Sequence, residues 1–218
     1  MLQEAEKLMA RREQDFPNNL LKAVEILSAD LKMNGNSSVS YEKLCETLFW
    51  LAVYSENKDQ KETYLSQGVE QGKKAVKLFP ESAGTNFWYA MHLALSSVLK
   101  GILKSLFNAP LIRKHGQKAL DLDEDYFHGG PMRLIGRSYH KAPAGNLDKS
   151  IQLLEKAAEK HPAFLHNQLF LADAYISKGR KIEAKKLLDG IIAGSALQTD
   201  EALLGMIRKE ATEIRAKI

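Results

Sequence analysis

The fold of this chain is decided by the stretch Gly129-Gly130-Pro131-Met132-Arg133-Leu134-Ile135-Gly136-Arg137-Ser138-Tyr139. Two glycines and a proline predict a helix that begins sharply, because a proline in the first turn loses no helical hydrogen bond. Apolar residues recur at helical spacing along one side, and Gly136 lies among them. A glycine inside a helix costs about 1 kcal/mol relative to alanine. We therefore expect a second helix to press against the backbone at this position.

The composition is typical of a helical globular protein. The chain has 218 residues, of which 44% are hydrophobic and 27% charged, and its net charge is +4. This mild basic excess does not by itself indicate nucleic-acid binding. The single cysteine, Cys45, lies in an apolar helical pattern and is expected to be buried. The stretch from Ser82 to Leu99 has no formal charge but contains polar side chains, so we expect a core helix rather than a membrane span.

The spacing of apolar residues, glycines and prolines predicts an all-α chain of about ten to eleven helices without strands. Turns are expected at residues 34–38 and 141–146. Residues 99–108 are expected to add a helical turn or two, after which Pro110 should open a new helix that ends near residue 122. The other helices are expected at residues 2–14, 19–33, 40–56, 60–79, 83–98, 131–141, 147–160, 164–178, 181–193 and 198–216.

Small residues recur at the packing centres of successive helices. Gly136 and Ala172 are 36 residues apart, and a tyrosine follows each of them three residues later. This pattern resembles the tetratricopeptide repeat, a helix-turn-helix of 34 residues. The resemblance implies a right-handed α-superhelix and one helical-repeat domain over residues 1–218. Its parts are expected to be a degenerate leading unit at 1–37, two repeats with insertions at 38–128, two well-matched repeats at 129–197 and a capping helix at 198–218.

An ordered set of short motifs carries a narrower resemblance. The motifs are Leu8–Arg12, Leu48–Ala52, Gly68–Val76 with Pro80, Asn86–Ala90, and Gly129–Tyr139 with Ala142-Pro143. Together they resemble the TRAP-transporter-associated T-component proteins. That resemblance implies an exported, periplasmic protein whose partner is an extracytoplasmic solute-binding subunit. No signal peptide or lipid-attachment cysteine is recognisable, so the resemblance also implies a trimmed N-terminus or a cytoplasmic relative.

The repeat resemblance implies that the first helix of each pair lines a concave groove. Positions about three before and one after each small packing residue are predicted to face the groove. The N-terminal half of the groove is then apolar and its centre is basic, because Arg133, Arg137 and His140 share one helix face. For the aromatic residues the alternative is a place in the core, as expected for Trp50, Trp88 and Tyr89. For the two arginines the alternative is internal salt bridging. The predicted groove residues are Phe49, Val53, Phe87, Met91, Arg133, Arg137, His140, His166, Leu169 and Asp173.

No pattern in the sequence indicates a metal, a cofactor or a catalytic centre. The six histidines lack the one-turn spacing of a helical zinc site. Asp121, Asp123 and Asp125 alternate like a calcium loop, but a capping role for Asp123 or Asp125 is favoured over calcium. An enzyme using His128 or His140 as a base would need a carboxylate supplied by the fold. The basic run from Lys100 to Lys118 is interpreted as a solvated helix face, with nucleic-acid binding as the alternative.

Two functions therefore remain open. The first is a non-enzymatic accessory protein of a TRAP-transporter solute-binding subunit, with a groove for an apolar or amphipathic ligand. The second is a cytoplasmic tetratricopeptide adaptor that clamps a peptide segment of a partner, with Arg133 and Arg137 as its electrostatic clamp. In either case insertion 99–108 could close the groove, extend it, or pack against another subunit in a homo-oligomer.

Overall fold

The computed structural model describes residues 1–34, 37–142, 145–194 and 201–218, and these contain only helices and their connections. The predicted all-α fold class is thereby confirmed, with eleven helices in the described ranges. Parts of the predicted turns at 34–38 and 141–146, and the start of the helix predicted at 198, lie outside them. The helices are α1 (Leu2–Ala10), α2 (Asn18–Met33), α3 (Ser38–Tyr54), α4 (Lys58–Leu78), α5 (Ala83–Lys100), α6 (Ile102–Leu122), α7 (Tyr126–Lys141), α8 (Leu147–Lys160), α9 (Leu165–Ser177), α10 (Lys181–Ala193) and α11 (Glu201–Arg215).

The chain divides into two compact units, Met1–Leu122 and Asp123–Ile218. In unit 1 the pairs α1/α2, α3/α4 and α5/α6 pack side by side, and α3 also contacts α1 and α5. In unit 2 the pairs are α7/α8 and α9/α10, with α9 also contacting α7 and α11. Within each unit, the first helix of a pair thus neighbours the first helix of the next pair, as in stacked helix-turn-helix repeats. The single-domain organisation predicted from the sequence remains a prediction.

Glycines allow the paired helices to approach closely, as the repeat pattern predicts. A Cβ at Gly136 in α7 would lie 2.9 Å from Cγ of Leu154 in α8. A Cβ at Gly72 in α4 would lie 2.9 Å from the backbone Cα of Tyr89 in α5. Contacts this short leave no room for a methyl group, so glycine is required by packing at both positions.

The start of α6 differs from the prediction that Pro110 opens a helix. The helix begins at Ile102 and includes the proline. A proline inside a helix removes a backbone hydrogen bond and costs about 3 kcal/mol in isolation. Packing along α5 offsets this cost, because Ile112, Gly116 and Ala119 are buried beyond the proline. Before the proline, the Asn108 side chain donates a 2.8 Å hydrogen bond to Oγ of Ser97 in α5.

The core of unit 1 is rich in aromatic side chains. Trp50, Trp88 and Tyr89 are all buried, as predicted. Cys45 is also buried, and burial raises the pKa of its thiol to about 12. The thiol is therefore protonated at neutral pH and behaves as a small apolar side chain. No helix of the described residues is long and apolar enough to cross a membrane.

Candidate functional site

The candidate site lies in unit 2, on the face formed by α7 and α9. The chain enters α7 through three residues with left-handed backbone angles, Phe127, His128 and Gly129, before the regular helix continues. Positive φ is costly for the two residues that carry a Cβ, so surrounding contacts must hold this turn. Pro131 then occupies the first regular turn, as predicted.

The predicted capping role of Asp125 is wrong. Its side chain makes no capping hydrogen bond to α7. It instead accepts hydrogen bonds from Lys160 at 2.5 Å and from the ring of His161 at 3.0 Å. These two bonds hold the pKa of the Asp125 carboxyl below its usual value. The left-handed turn is the reason, because the carboxylate is directed towards the end of α8 and away from the first amides of α7.

Arg133 is the centre of a buried polar network. Its guanidinium donates to Oδ1 of Asn167 at 2.7 Å and to the carbonyl of His128 at 3.2 Å. It also lies 4.4 Å from the centre of the Phe164 ring. Only 4% of Arg133 is exposed, and burial lowers its pKa to about 9, so the group remains charged at neutral pH. The network ties the left-handed turn to α9.

Asn167 is the residue of this network that the sequence prediction missed. It is completely buried, and its amide nitrogen donates at 3.1 Å to the carbonyls of both His128 and Ala157. A signal was present, because Asn167 follows Arg133 by 34 residues, the length of one repeat. Residues one repeat apart occupy equivalent positions on neighbouring first helices, which lie side by side.

Arg137 and Asp173 form the accessible part of the site. The Arg137 guanidinium pairs with the Asp173 carboxylate and lies 4.5 Å from the centre of the Phe170 ring. Lys141 binds the same carboxylate at 2.9 Å. Burial alone would raise the pKa of Asp173, but hydrogen bonds from Lys141 and Arg137 outweigh it and lower the pKa. The result is a partly exposed cationic cluster beside an aromatic ring.

Two further ionisable groups adjoin this cluster. Burial lowers the pKa of His166 to about 3, and the Arg133 charge adds to the effect, so the ring is neutral at pH 7. The rings of His166 and Phe170 pack edge to face, with centres 5.9 Å apart. Burial raises the pKa of the Glu210 carboxyl in α11. The nearby charge of Arg137 lowers this pKa and that of Asp173 raises it.

His140 has a serine and a carboxylate nearby, but their arrangement does not suit a catalytic base. Its Nε2 lies 2.8 Å from Oγ of Ser177, and its Nδ1 lies 3.9 Å from the Asp173 carboxylate. A triad needs the carboxylate to accept a hydrogen bond from Nδ1–H, whereas here Arg137 donates to Nδ1 at 3.3 Å. Burial, with the positive charge of Lys141 next, lowers the pKa of His140 to about 4. Such a ring is a weak base.

The predicted groove residues of unit 1 have different environments. Phe87 is completely buried and packs against Trp88 with ring centres 4.9 Å apart. Phe49, Val53 and Met91 are partly exposed. Phe87 therefore belongs to the core in this state, and a binding role for it or for Arg133 remains a prediction that would require neighbouring side chains to move. Leu169 in unit 2 is likewise completely buried.

Among the described residues, no group of three histidine, cysteine or acidic side chains is placed to hold a metal ion. The site offers hydrogen-bond donors with fixed positive charge, the carboxyl groups of Asp173 and Glu210, and the faces of aromatic rings. This combination suits recognition of a polar, acidic chain.

Structural comparison shows the fold. The chain resembles the crystal structure of TTC0263, a thermophilic TPR protein in Thermus thermophilus, with a TM-score of 0.68, 16% identity and 97% of each chain covered. It also resembles the crystal structure of MamA, with a TM-score of 0.51, 19% identity and 96% of each chain covered. A tetratricopeptide repeat model matches residues 144–203. The tetratricopeptide-like fold predicted from the sequence is thus confirmed.

Sequence comparison indicates a different family from the T-component proteins predicted from the sequence. The chain is 24% identical over 208 residues to Regulator of microtubule dynamics protein 3 of Rattus norvegicus, covering 87% of this chain and 43% of that protein. The chain thus spans less than half the length of this curated relative. No comparison supports the T-component resemblance. A model of Regulator of microtubule dynamics protein 1-3 matches residues 1–129, more than half of the chain, so this protein belongs to the RMD1-3 family.

Proposed function

We propose that this chain is a helical-repeat interaction module that binds a segment of a partner protein on the α7/α9 face of unit 2. The observation that carries the proposal is the cluster of Arg137, Lys141 and Asp173 beside the Phe170 ring. Arg137 and Lys141 share the Asp173 carboxylate there, with the Glu210 carboxyl nearby, and the half-exposed ammonium of Lys141 can still donate to a partner carboxylate. The tetratricopeptide-like fold, which generally serves binding rather than catalysis, supports the same function.

The chemistry of the cluster suggests the kind of segment that would bind. An acidic side chain of the partner could accept hydrogen bonds from Lys141, whose side chain is half exposed. An aromatic or aliphatic neighbour in the partner could lie against Phe170. Arg137 already lies over this ring, so it needs little reordering on binding. An extended acidic segment with one apolar anchor is therefore the favoured partner.

The names of the family and of the rat relative suggest where to find that partner. Both are described as regulators of microtubule dynamics. We infer that the partner is tubulin or a protein bound to microtubules. This is the adaptor interpretation with a more specific partner. No comparison supports a role beside a transporter subunit, and the periplasmic location predicted from the sequence stays a prediction.

The first experiment is co-sedimentation of the chain with microtubules assembled from purified tubulin. The test variant is Arg137→Ala with Lys141→Ala, and the matched control is Lys186→Ala, an exposed lysine on α10. We expect the double variant to bind at least tenfold more weakly and the control to bind like the wild type. Partly exposed ion pairs contribute about 1 kcal/mol or less to folding, so the double variant should remain folded.

Two results would contradict this proposal. If the wild type does not sediment with microtubules, either bare or carrying their associated proteins, and does not co-elute with free tubulin in size-exclusion chromatography, the inferred partner is wrong. If the double variant sediments as well as the wild type, the partner binds elsewhere on the chain. Arg133→Ala is unsuitable as a test, because removing a buried, hydrogen-bonded arginine would disturb folding as well as binding.

A further inference from the structure

The turn between α5 and α6 carries an exposed apolar patch at the end of a helix pair. Ile102, Leu103 and Phe107 are 72%, 81% and 76% exposed. Val98 and Leu106 extend the same patch, which we call the apolar tip and define by these five residues. Contiguous exposed apolar side chains on a folded protein indicate an interaction surface rather than incidental exposure.

The apolar tip lies open to solvent around Gly101. Gly101, at the turn, has a φ of 101°, and a Cβ added there would meet nothing within 4 Å. The buried residues of α6 begin only at Ile112, five residues beyond Phe107. The tip residues therefore add little to the core of unit 1, and their exposure is not explained by folding.

The charge around the apolar tip is positive. No aspartate or glutamate occurs from residue 82 to residue 120. Lys104 lies within the tip, with its Nζ 5.0 Å from the centre of the Phe107 ring. Arg113 and Lys114 follow on exposed positions of α6. Lys100 contributes less, because it pairs with Glu62 at 3.2 Å.

We propose that the apolar tip inserts into the surface of an anionic lipid bilayer. An exposed apolar turn can enter the boundary between headgroups and acyl chains. Lysine and arginine beside the inserted side chains meet lipid phosphates and carboxylates, while their aliphatic stems follow the apolar surface. The tip binds lipid independently of the partner site in unit 2, so a negative result for one proposal does not contradict the other.

The experiment is flotation of the full chain with vesicles of phosphatidylcholine alone and of phosphatidylcholine with phosphatidylserine in a three-to-one ratio. The tip variant is Leu103→Glu with Phe107→Glu. The matched control is Ile182→Glu, because Ile182 is an apolar residue of α10 that is 85% exposed. We expect wild type and control to bind the anionic vesicles equally and the tip variant to bind at least tenfold more weakly.

A charge variant tests the role of the basic residues. Lys104→Glu with Lys114→Glu should weaken binding to the anionic vesicles severalfold, and added salt should do the same. Equal wild-type binding to both vesicle types would overturn the role attributed to these charges. Tryptophan fluorescence, which reports on unit 1, should be the same for all variants because every substituted residue is exposed.

A tip that binds a second copy of the chain instead of lipid would give different results. If sedimentation velocity shows a wild-type dimer that the tip variant abolishes, while neither protein floats with vesicles, the tip is an interface between two copies and the lipid proposal is wrong. Equal flotation of the wild type and the tip variant would also overturn it, since lipid would then bind elsewhere.

Discussion

The pKa of His92 leads to a quantitative prediction about acid stability. His92 is completely buried in α5, and its Nε2 lies 2.9 Å from the carbonyl of Cys45. A carbonyl can only accept, so Nε2 carries the proton of the neutral ring. Nδ1 faces Gly68 in α4 and has no hydrogen-bond partner among the described residues. A second proton would therefore create a buried, poorly solvated charge.

Burial lowers the pKa of His92 from 6.5 to about 4. As the pH falls below 6.5, the unfolded chain takes up a proton at this residue, whereas the folded chain does not until the pH approaches 4. The unfolded state thus binds more protons in this window, and stability falls with falling pH. Between pH 7 and pH 5, these two pKa values give a loss of about 2 kcal/mol from this histidine alone.

The assay is urea unfolding at both pH values, followed by tryptophan fluorescence. Both tryptophans, Trp50 and Trp88, are in unit 1 together with His92, so the signal reports on the relevant unit. The variant His92→Gln keeps an amide that can donate to Cys45 but cannot gain a charge. We expect its loss of stability on acidification to be smaller than that of the wild type by about 2 kcal/mol.

The comparison of variant and wild type isolates this residue. Burial also lowers the pKa of His115 in unit 1, but this contribution has the same sign in both proteins and cancels in the difference. If His92→Gln loses as much stability as the wild type between pH 7 and pH 5, the proton on His92 does not control acid unfolding. The reasoning from its burial would then be refuted.

Three further predictions concern packing and hydrogen bonding. Gly72→Ala should destabilise unit 1 by about 2 kcal/mol, because the new methyl group would meet the backbone of Tyr89. An unchanged midpoint of urea unfolding would contradict this prediction and show that α4 can shift freely. Asn167→Ala should destabilise unit 2 by about 3 kcal/mol, because Arg133 loses a buried hydrogen-bond acceptor. Calorimetry measures this change, and a decrease in the free energy of unfolding below about 1 kcal/mol would contradict the importance of the network. Asn57→Ala should cost about 1 kcal/mol, because its side chain caps α4, whereas Asn57→Ser should preserve most of the stability.

Much of the helical architecture could be predicted from local sequence. The prediction for 147–160 agrees with α8, which Asn146 caps, and the prediction for 181–193 agrees with α10, where Gly179 and Gly194 flank the apolar pattern. Pro110 shows where local rules fail. A proline normally opens a helix or ends one, yet α6 continues through it because side chains on both sides are held against α5. Such contacts between helices have no signature in a short window of sequence.

The candidate site could be predicted in part. The spacing of Arg133 and Arg137 placed them on one face of a helix, and the structure shows that they share a face with Asp173. Their environments nonetheless differ, because Arg133 is buried against Asn167 whereas Arg137 remains partly exposed. Helical periodicity gives the direction of a side chain from its axis. It does not give the depth at which the neighbouring helix covers that side chain.

The sequence by itself determined the helix-turn-helix repeat of this protein, because glycines such as Gly136 and the one-repeat spacing of paired residues record which helices must approach closely. Tertiary structure alone decided which polar residues are buried and which apolar residues stay exposed. Arg133 is enclosed because Asn167 and Phe164 on the neighbouring repeat cover it, while Phe107 is exposed because no described helix packs over the turn between α5 and α6. Burial depends on what the rest of the chain places against a residue, and that is a property of the folded whole.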